Sequence, residues 1–124
     1  MGESLHVKGA RGAQDAKRWL DRTTRVDARW LNPHPAAVAK LTFDQAAGET
    51  FSFDLGGFMR GGEFDGQMFL AEVKNYTNDN GQGPMYEEFL AKCYRAYGLR
   101  PQYCDHFIFF LSLPGAPNLL SLST

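Results

Sequence analysis

The sequence predicts an α/β domain, and three observations lead to this fold class. A helical segment opens the chain between Gly9 and Thr23, where apolar residues recur at helical spacing. Two strand-like segments then flank the turn Gly61-Gly62-Glu63. Finally, a second helical segment precedes the continuous apolar run from His106 to Leu111, which is typical of a strand covered on both faces.

The composition fits one domain over residues 1–124 with one core. The chain has 124 residues, of which 44% are hydrophobic and 14% aromatic. No apolar stretch reaches the length of a membrane span and no signal-peptide pattern opens the chain, so we expect a cytoplasmic protein without membrane association. Residues 1–8 and 118–124 are expected to be loose termini, and the whole is compatible with a domain excised from a longer chain. Cys93 and Cys104 lack CxxC spacing and are expected to be reduced and buried.

Charge is distributed unevenly along the chain. The formal net charge is −1, yet seven basic and three acidic residues fall between Lys8 and Arg29, giving that segment +4. From Leu41 to Leu90 nine acidic residues face two basic ones, giving −7. A basic arm beside an acidic centre suits a metal-dependent enzyme acting on a polyanion, although a helix with a solvated face gives the same pattern.

The first helix is predicted from a set of apolar residues at helical spacing, namely Ala10, Ala13, Ala16, Trp19 and Leu20. The segment Asn32-Pro33-His34-Pro35 is a break. Between this break and Gly48 the pattern is weak, and Ala37 to Phe43 fits either a short strand or a helical turn.

A β-hairpin is predicted in the centre of the chain. Phe51 to Leu55 alternates apolar and polar residues, and the strand is expected to continue to Arg60. The second strand runs from Gln67 to Tyr76. If the turn centres near Gly62 or Glu63, facing residues have numbers that sum to about 126, which places Asp54 opposite Glu72.

The second helix is predicted from Pro84 to Tyr97, with Gly98 ending it. Its apolar stripe consists of Tyr86, Phe89, Leu90, Cys93, Tyr94 and Tyr97. Its charged residues are expected outside, namely Glu87, Glu88, Lys92 and Arg95. After the last strand, Pro114 to Pro117 is a stop, and no clear element is predicted beyond it.

The triplet Glu72-Val73-Lys74 closes the second strand of the hairpin. Because strand side chains alternate, Glu72 and Lys74 share one face. Burying a carboxylate and an ammonium at the end of a strand costs free energy unless a charged ligand binds them. A metal ion and a phosphate are the two candidate ligands. An exposed ion pair of little energetic value is the alternative interpretation.

Asp54, the intervening hairpin and Glu72-Val73-Lys74 resemble the PD-(D/E)xK nuclease superfamily, which includes restriction endonucleases and Holliday-junction resolvases. The resemblance covers about residues 9–113 as an order of elements, and its residue-level motif is limited to Asp54, Glu72 and Lys74. It implies a restriction-endonuclease-like αβββαβ core, in which helices flank a mixed central sheet. It also implies a metal-dependent endonuclease, with defence against foreign DNA among the family's roles.

The resemblance implies that Asp54, Glu72 and the Val73 backbone carbonyl bind Mg²⁺ or Mn²⁺, and that Lys74 acts on the attacking water or the developing charge. Asp65 is an alternative ligand, although Asp65-Gly66 is itself a turn signal and hairpin geometry favours Asp54. The second helix could bring Tyr86 and Lys92 to the edge of the site. Substrate contacts are expected from the basic segment and the loop after the strand, namely from Lys8, Arg11, Gln14, Lys17, Arg18, Asn75 and Tyr76.

Gln14 departs from the family pattern, since many members have an acidic metal ligand in the first helix. The missing ligand could be supplied by the neighbouring Asp15. The departure also leaves open a non-catalytic module on the same scaffold, which would bind nucleic acid or another protein. The expected partner is nucleic acid, most simply DNA, with a homodimer or partner domains of a longer chain compatible with the sequence.

Overall fold

The structure is a computed structural model that describes residues 5–23, 25–32, 34–75, 82–113 and 116–123. Only the backbone is described for residues 5–11, 75, 82–83, 111–113 and 116–123. Within these ranges no helix has the length and apolar character needed to cross a membrane. The helices and strands are, in chain order, α1 (Leu5–Arg22), β1 (Val26–Leu31), α2 (Pro35–Leu41), β2 (Thr42–Asp44), β3 (Thr50–Ser52), β4 (Leu55–Met59), β5 (Met68–Asn75), α3 (Gln82–Leu99), β6 (His106–Leu113) and β7 (Ala116–Ser123).

The main sheet has five strands in the order β1-β4-β5-β6-β7. Neighbouring strands are antiparallel except for β5 and β6, which are parallel and are connected through α3. Strands β2 and β3 form a separate two-stranded sheet. The protein is therefore an α/β domain with a mixed sheet, as the sequence predicted.

The predicted hairpin register is confirmed between β4 and β5. Leu55 pairs with Ala71 and Phe58 with Met68, so the paired numbers sum to 126. The single strand predicted from Phe51 to Arg60 is wrong, because the chain passes from the small β2–β3 sheet to the main sheet between β3 and β4. There the Phe53 N–H donates to the Leu41 carbonyl at 3.0 Å, which directs the preceding residues toward α2.

Helices cover both faces of the sheet. Helix α1 packs on one face through a cluster that comprises Ala16, Leu20, Val26, Ala28, Leu55, Phe69, Ala71, Ile108 and Phe110. Helices α2 and α3 pack on the other through a cluster that comprises Ala37, Leu41, Phe43, Phe53, Leu70, Phe89, Cys93, Ala96, Cys104, Phe107 and Phe109. Strand β6 contributes alternate residues to both clusters, which confirms that it is covered on both faces.

Strand β1 was not predicted, although Val26 to Trp30 alternates apolar and charged residues as a strand does, and its pairing with β4 contains an irregularity. Asp27 pairs with Phe58 and Trp30 with Gly56, so β1 has an extra residue opposite Gly57. A Cβ at Gly57 would lie 2.0 Å from the Asp27 carbonyl oxygen. The bulged backbone therefore requires glycine at this position.

The predictions for the chain ends were wrong. Helix α1 begins at Leu5, so residues 5–8 are helical rather than loose, while residues 1–4 lie outside the described part. Strand β7 pairs with β6 from Ala116 to Ser123, where no element was expected. Proline at position 117 is tolerated because β7 is an edge strand.

The segment from Ala37 to Phe43, for which a strand and a helical turn were both considered, contains the end of a helix and the start of a strand. Pro35 to Leu41 is helical, and Thr42 then begins β2. Proline suits the first helical position, and the His34 Nδ1 caps the helix by accepting from the Ala36 N–H at 3.2 Å.

Helix α3 differs from its prediction in its ends and in its buried face. It begins at Gln82 and continues past Gly98 to Leu99. Phe89, Cys93 and Ala96 are buried, whereas Tyr94 is 85% and Tyr97 50% exposed. The buried stripe therefore follows the spacing i, i+4, i+7 from Phe89, and the assignment of the two tyrosines to it was wrong.

Both cysteines are reduced thiols and are buried, as predicted. Burial, reinforced by the charge of Glu72, raises the pKa of the Cys93 thiol to about 12. Burial and the nearby Asp105 carboxylate raise the pKa of Cys104 to about 11. Both side chains therefore act as apolar core residues.

Candidate functional site

The candidate site lies where β5 passes beyond the start of β4, at Asp54 and Glu72. The Asp54 N–H donates to the Ala71 carbonyl at 3.0 Å, and the Asp54 carbonyl accepts from the Asn32 N–H at 2.9 Å. The Asp54 Oδ2 accepts from the Val73 N–H at 2.7 Å. Hydrogen bonds from both neighbouring strands thus fix Asp54 beside the end of β5.

Glu72 is a buried acidic residue, with only 6% of its surface exposed. It follows Leu70 by two residues, so its side chain lies on the sheet face that α3 covers. A carboxylate in this position loses most of its hydration and needs compensating partners. Lys92 compensates the charge of Glu72, whereas Asp54 places a second carboxyl group beside it.

The carboxyl groups of Asp54 and Glu72 lie close enough to share a hydrogen bond. Burial, followed by the charge of Glu72 and that hydrogen bond, raises the pKa of Asp54 from 3.8 to about 7. The Val73 N–H and the Lys92 ammonium act in the opposite direction but are outweighed. Asp54 therefore keeps its proton through much of the acidic range, because its buried carboxyl group resists being charged beside Glu72.

Lys92 forms the ion pair of Glu72. Its Nζ contacts Glu72 Oε2, and the two side chains are only 18% and 7% exposed. The same Nζ lies 5.1 Å from the centre of the Phe53 ring. The prediction that Lys92 lies on the outer side of the helix was wrong, because its side chain contacts Glu72 on β5.

Lys74 lines the pocket in front of Glu72 rather than pairing with it. The pocket has a volume of about 290 Å³, and its lining residues are Glu72, Lys74, Glu88, Ala91, Lys92 and Arg95. Within the described residues the ion-pair partner of Glu72 is Lys92. Lys74 is partly exposed, so its ammonium is available to a ligand in the pocket.

The backbone of Val73 adds a further oxygen to this edge. Its N–H points to Asp54, and the N–H and carbonyl of one strand residue point to the same side. The Val73 carbonyl therefore lies on the Asp54 side of β5. Among the described residues, the site offers only two carboxylate side chains as metal ligands. In the described part of the chain there is no group of three or more His, Cys, Asp and Glu residues that could bind a metal.

Asp65, the alternative ligand, lies at the other end of the hairpin. It is exposed, and its Oδ1 accepts from the Gly61 N–H at 2.7 Å across the turn. Its backbone completes the short 3₁₀ turn from Gly62 to Phe64. The regular β4–β5 register excludes the shift that would have brought Asp65 to Glu72, so the structure joins Asp54 to Glu72 instead.

The predicted substrate contacts on the first helix do not converge on this pair. Helix α1 packs on the sheet face that carries Ala71, opposite the face of Glu72. Gln14 is exposed, Lys17 pairs with Asp21, and Arg18 pairs with Asp15. Asp15 is therefore engaged on the surface and does not supply the missing acidic ligand.

The other predicted substrate contacts fall outside what the structure describes. This applies to Tyr76 as a whole and to the side chains of Lys8, Arg11 and Asn75. Their predicted role stays a prediction.

Lys92 is the residue of the site that sequence reasoning placed on the wrong side. A signal for it was present, because Lys92 follows Phe89 by three residues and precedes Ala96 by four, as a buried helical position does. Its charge argued for the surface, and only the buried Glu72 on the neighbouring strand overrides that expectation.

Comparison of the chain with family models, curated proteins and solved structures finds no match to any of the three.

Proposed function

We propose that this protein is a metal-dependent nuclease of the PD-(D/E)xK type, which hydrolyses phosphodiester bonds of nucleic acid, most simply DNA. The observation that carries the proposal is the buried pair of Asp54 and Glu72, with Lys74 two residues further along the same strand face. The hairpin register brings together the three residues on which the sequence resemblance rests.

The order of elements supports the proposal. Without α2 and the small β2–β3 sheet, the chain order up to β6 is helix, three strands, helix, strand. The three strands are antiparallel neighbours, and the last is parallel to the third. This order agrees with the αβββαβ arrangement that the resemblance implies, with Asp54 directly before the second of the three strands and Glu72 on the third.

The donor set fits a hard divalent cation such as Mg²⁺ or Mn²⁺. Asp54 and Glu72 offer carboxylate oxygens and Val73 offers a carbonyl oxygen, which are the ligands that Mg²⁺ prefers. Two side-chain ligands suffice for an ion that keeps several water molecules. When bound, such an ion neutralises the paired carboxylates, polarises a phosphate and lowers the pKa of its water.

The remaining residues have roles that follow from their charge and position. The pocket is lined by three cationic side chains, Lys74, Lys92 and Arg95, against the carboxylates of Glu72 and Glu88. A phosphodiester carries a negative charge and matches this excess. Lys74 is the cation on the strand itself, and it would hold a phosphate oxygen and stabilise the charge that develops there.

A nuclease assay tests the proposal. Single- and double-stranded DNA and RNA are incubated with the protein in Mg²⁺, in Mn²⁺ and in EDTA. We expect cleavage of at least one substrate with metal only, and a loss of at least about a hundredfold in Glu72→Gln and in Lys74→Met. Lys40→Met is the matched control, because it removes an exposed lysine on α2 that does not line the pocket. Full activity in either site variant, or metal-independent cleavage, contradicts the proposal.

A non-catalytic nucleic-acid-binding module is the second candidate, and the Lys92–Glu72 ion pair favours it. That contact already neutralises one of the two carboxylates without any metal. The two candidates differ in the calorimetric titration of Mg²⁺ and Mn²⁺. Binding that is lost in Asp54→Ala supports the enzyme, whereas nucleic-acid binding that neither metal nor Asp54→Ala changes supports the module.

A further inference from the structure

The acidic pair of the proposed metal site already has a cation in contact with it. The Lys92 ammonium binds Glu72 Oε2 and lies 5.1 Å from the Phe53 ring centre. With 18% of the Lys92 side chain and 7% of the Glu72 side chain exposed, water screens this contact weakly. Lys92 thus supplies positive charge at the place where the proposed function requires a metal ion.

Charge accounting argues against both cations being held together. Asp54 and Glu72 provide two negative charges when ionised, while a divalent cation and the Lys92 ammonium would bring three positive ones. In a poorly hydrated site the repulsion between these cations is strong. The ammonium is the group that can move, because it stands on a flexible four-carbon stem.

The pocket gives the displaced ammonium a place to go. Glu88 lies four residues before Lys92 on α3, and both line the same pocket of about 290 Å³. A glutamate four residues N-terminal to a lysine is the favourable order for a helical ion pair. Glu88 is exposed, so it can accept the ammonium without a further burial cost.

We propose that Lys92 is the resident counter-ion of the Asp54–Glu72 pair, and that a divalent cation binds the pair by displacing the Lys92 ammonium toward Glu88. The inference rests on the proposed function for the identity of the incoming cation. It adds a positioning residue on α3 that the sequence motif does not contain.

Calorimetric titration of Mn²⁺ tests the proposal. Lys92→Met removes the competing charge, and we expect it to bind Mn²⁺ about ten- to thirtyfold more tightly than the wild type. This is the size of the repulsion between a divalent ion and a unit charge about 4 Å apart, even when water screens it. Lys92→Arg keeps the charge and should stay within about threefold of the wild type. Lys40→Met removes an exposed lysine on α2 that does not line the pocket, and it should change nothing. Unchanged or weaker binding by folded Lys92→Met overturns the inference.

A measurement on the wild type covers the case in which Lys92→Met does not fold. The Nζ signal of Lys92 is recorded by NMR on protein with labelled lysine and is identified by its absence in Lys92→Arg. We expect a shifted signal with slow proton exchange in EDTA, which moves toward that of a solvated lysine on Mg²⁺ saturation. A Lys92 signal that Mg²⁺ saturation leaves unchanged overturns the inference.

The inference and the proposed function fail in different ways. Metal binding by the wild type that Lys92→Met does not tighten overturns the counter-ion role and leaves the nuclease proposal standing. Metal binding by Lys92→Met alone supports the counter-ion role and contradicts metal-dependent activity of the wild type. An absence of binding in both, with both proteins folded, contradicts both.

Discussion

The Asp54 carboxyl destabilises the folded protein increasingly as pH rises, and its replacement by asparagine should remove this effect. The pKa of Asp54 is about 7 in the fold against an ordinary value of 3.8. The folded chain therefore binds its proton more tightly, so stability is highest below the lower value and falls as pH rises through the interval. Each pH unit of the interval corresponds to about 1.36 kcal/mol, which gives a penalty on the order of 4 kcal/mol above neutral pH.

Asparagine is the appropriate replacement because its side-chain oxygen can still accept from the Val73 N–H, and its amide can donate to Glu72. Urea unfolding in EDTA at several pH values from 5 to 8 provides the measurement. The wild type should lose about 3 kcal/mol relative to Asp54→Asn across this range, and the variant should be the more stable protein at pH 8.

Asp65→Asn is the matched control, since Asp65 is an exposed carboxylate on the hairpin turn. It should reproduce the pH dependence of the wild type. If the wild type and Asp54→Asn show parallel stability profiles from pH 5 to 8, the assignment of a desolvated, proton-sharing carboxyl pair is refuted.

Three further predictions concern the scaffold. Gly57→Ala should destabilise the protein by about 3 kcal/mol or more in urea unfolding, because its Cβ would lie 2.0 Å from a carbonyl oxygen of β1; a loss below about 1 kcal/mol would mean that the bulge relaxes easily. Phe107→Ala should cost about 3 to 5 kcal/mol in the same assay, because the ring is 1% exposed within the α3-side cluster. Cys93 and Cys104, with pKa values raised to about 12 and 11, should resist iodoacetamide at pH 8 in the folded protein and react in urea; rapid labelling of the native protein would contradict their burial.

The hairpin could be predicted from the sequence because local signals decide it. The glycines at 61 and 62 both adopt positive φ, at 74° and 68°, which fixes the turn that the sequence indicates. Once the turn is placed, its position fixes which residues of β4 and β5 face each other. Asp54 and Glu72 follow from that register without further information.

The parts that could not be predicted depend on contacts between distant segments. Strand β1 carries a strand pattern that was missed, since Val26, Ala28 and Trp30 alternate with Asp27 and Arg29, but its bulge opposite Gly57 depends on the pairing with β4. Strand β7 is recognisable only through its pairing with β6. Lys92 has the helical spacing of a buried position, but the carboxylate that draws it inward lies 20 residues away on β5.

The fold does not need a negative charge at Asp54, and this supports a ligand-binding role for the Asp54 carboxylate. Its backbone hydrogen bonds to Ala71 and Asn32 would form with any residue at this position, and asparagine could accept from the Val73 N–H equally well. Lys92 already pairs with Glu72, so a second carboxyl beside that pair adds electrostatic cost without a packing contribution. A structural ion pair would be more stable without it, whereas a site for a divalent cation needs both carboxylates charged when the ion is bound. A stabilising Asp54→Asn variant that has lost Mn²⁺ binding would therefore separate the two explanations in one protein.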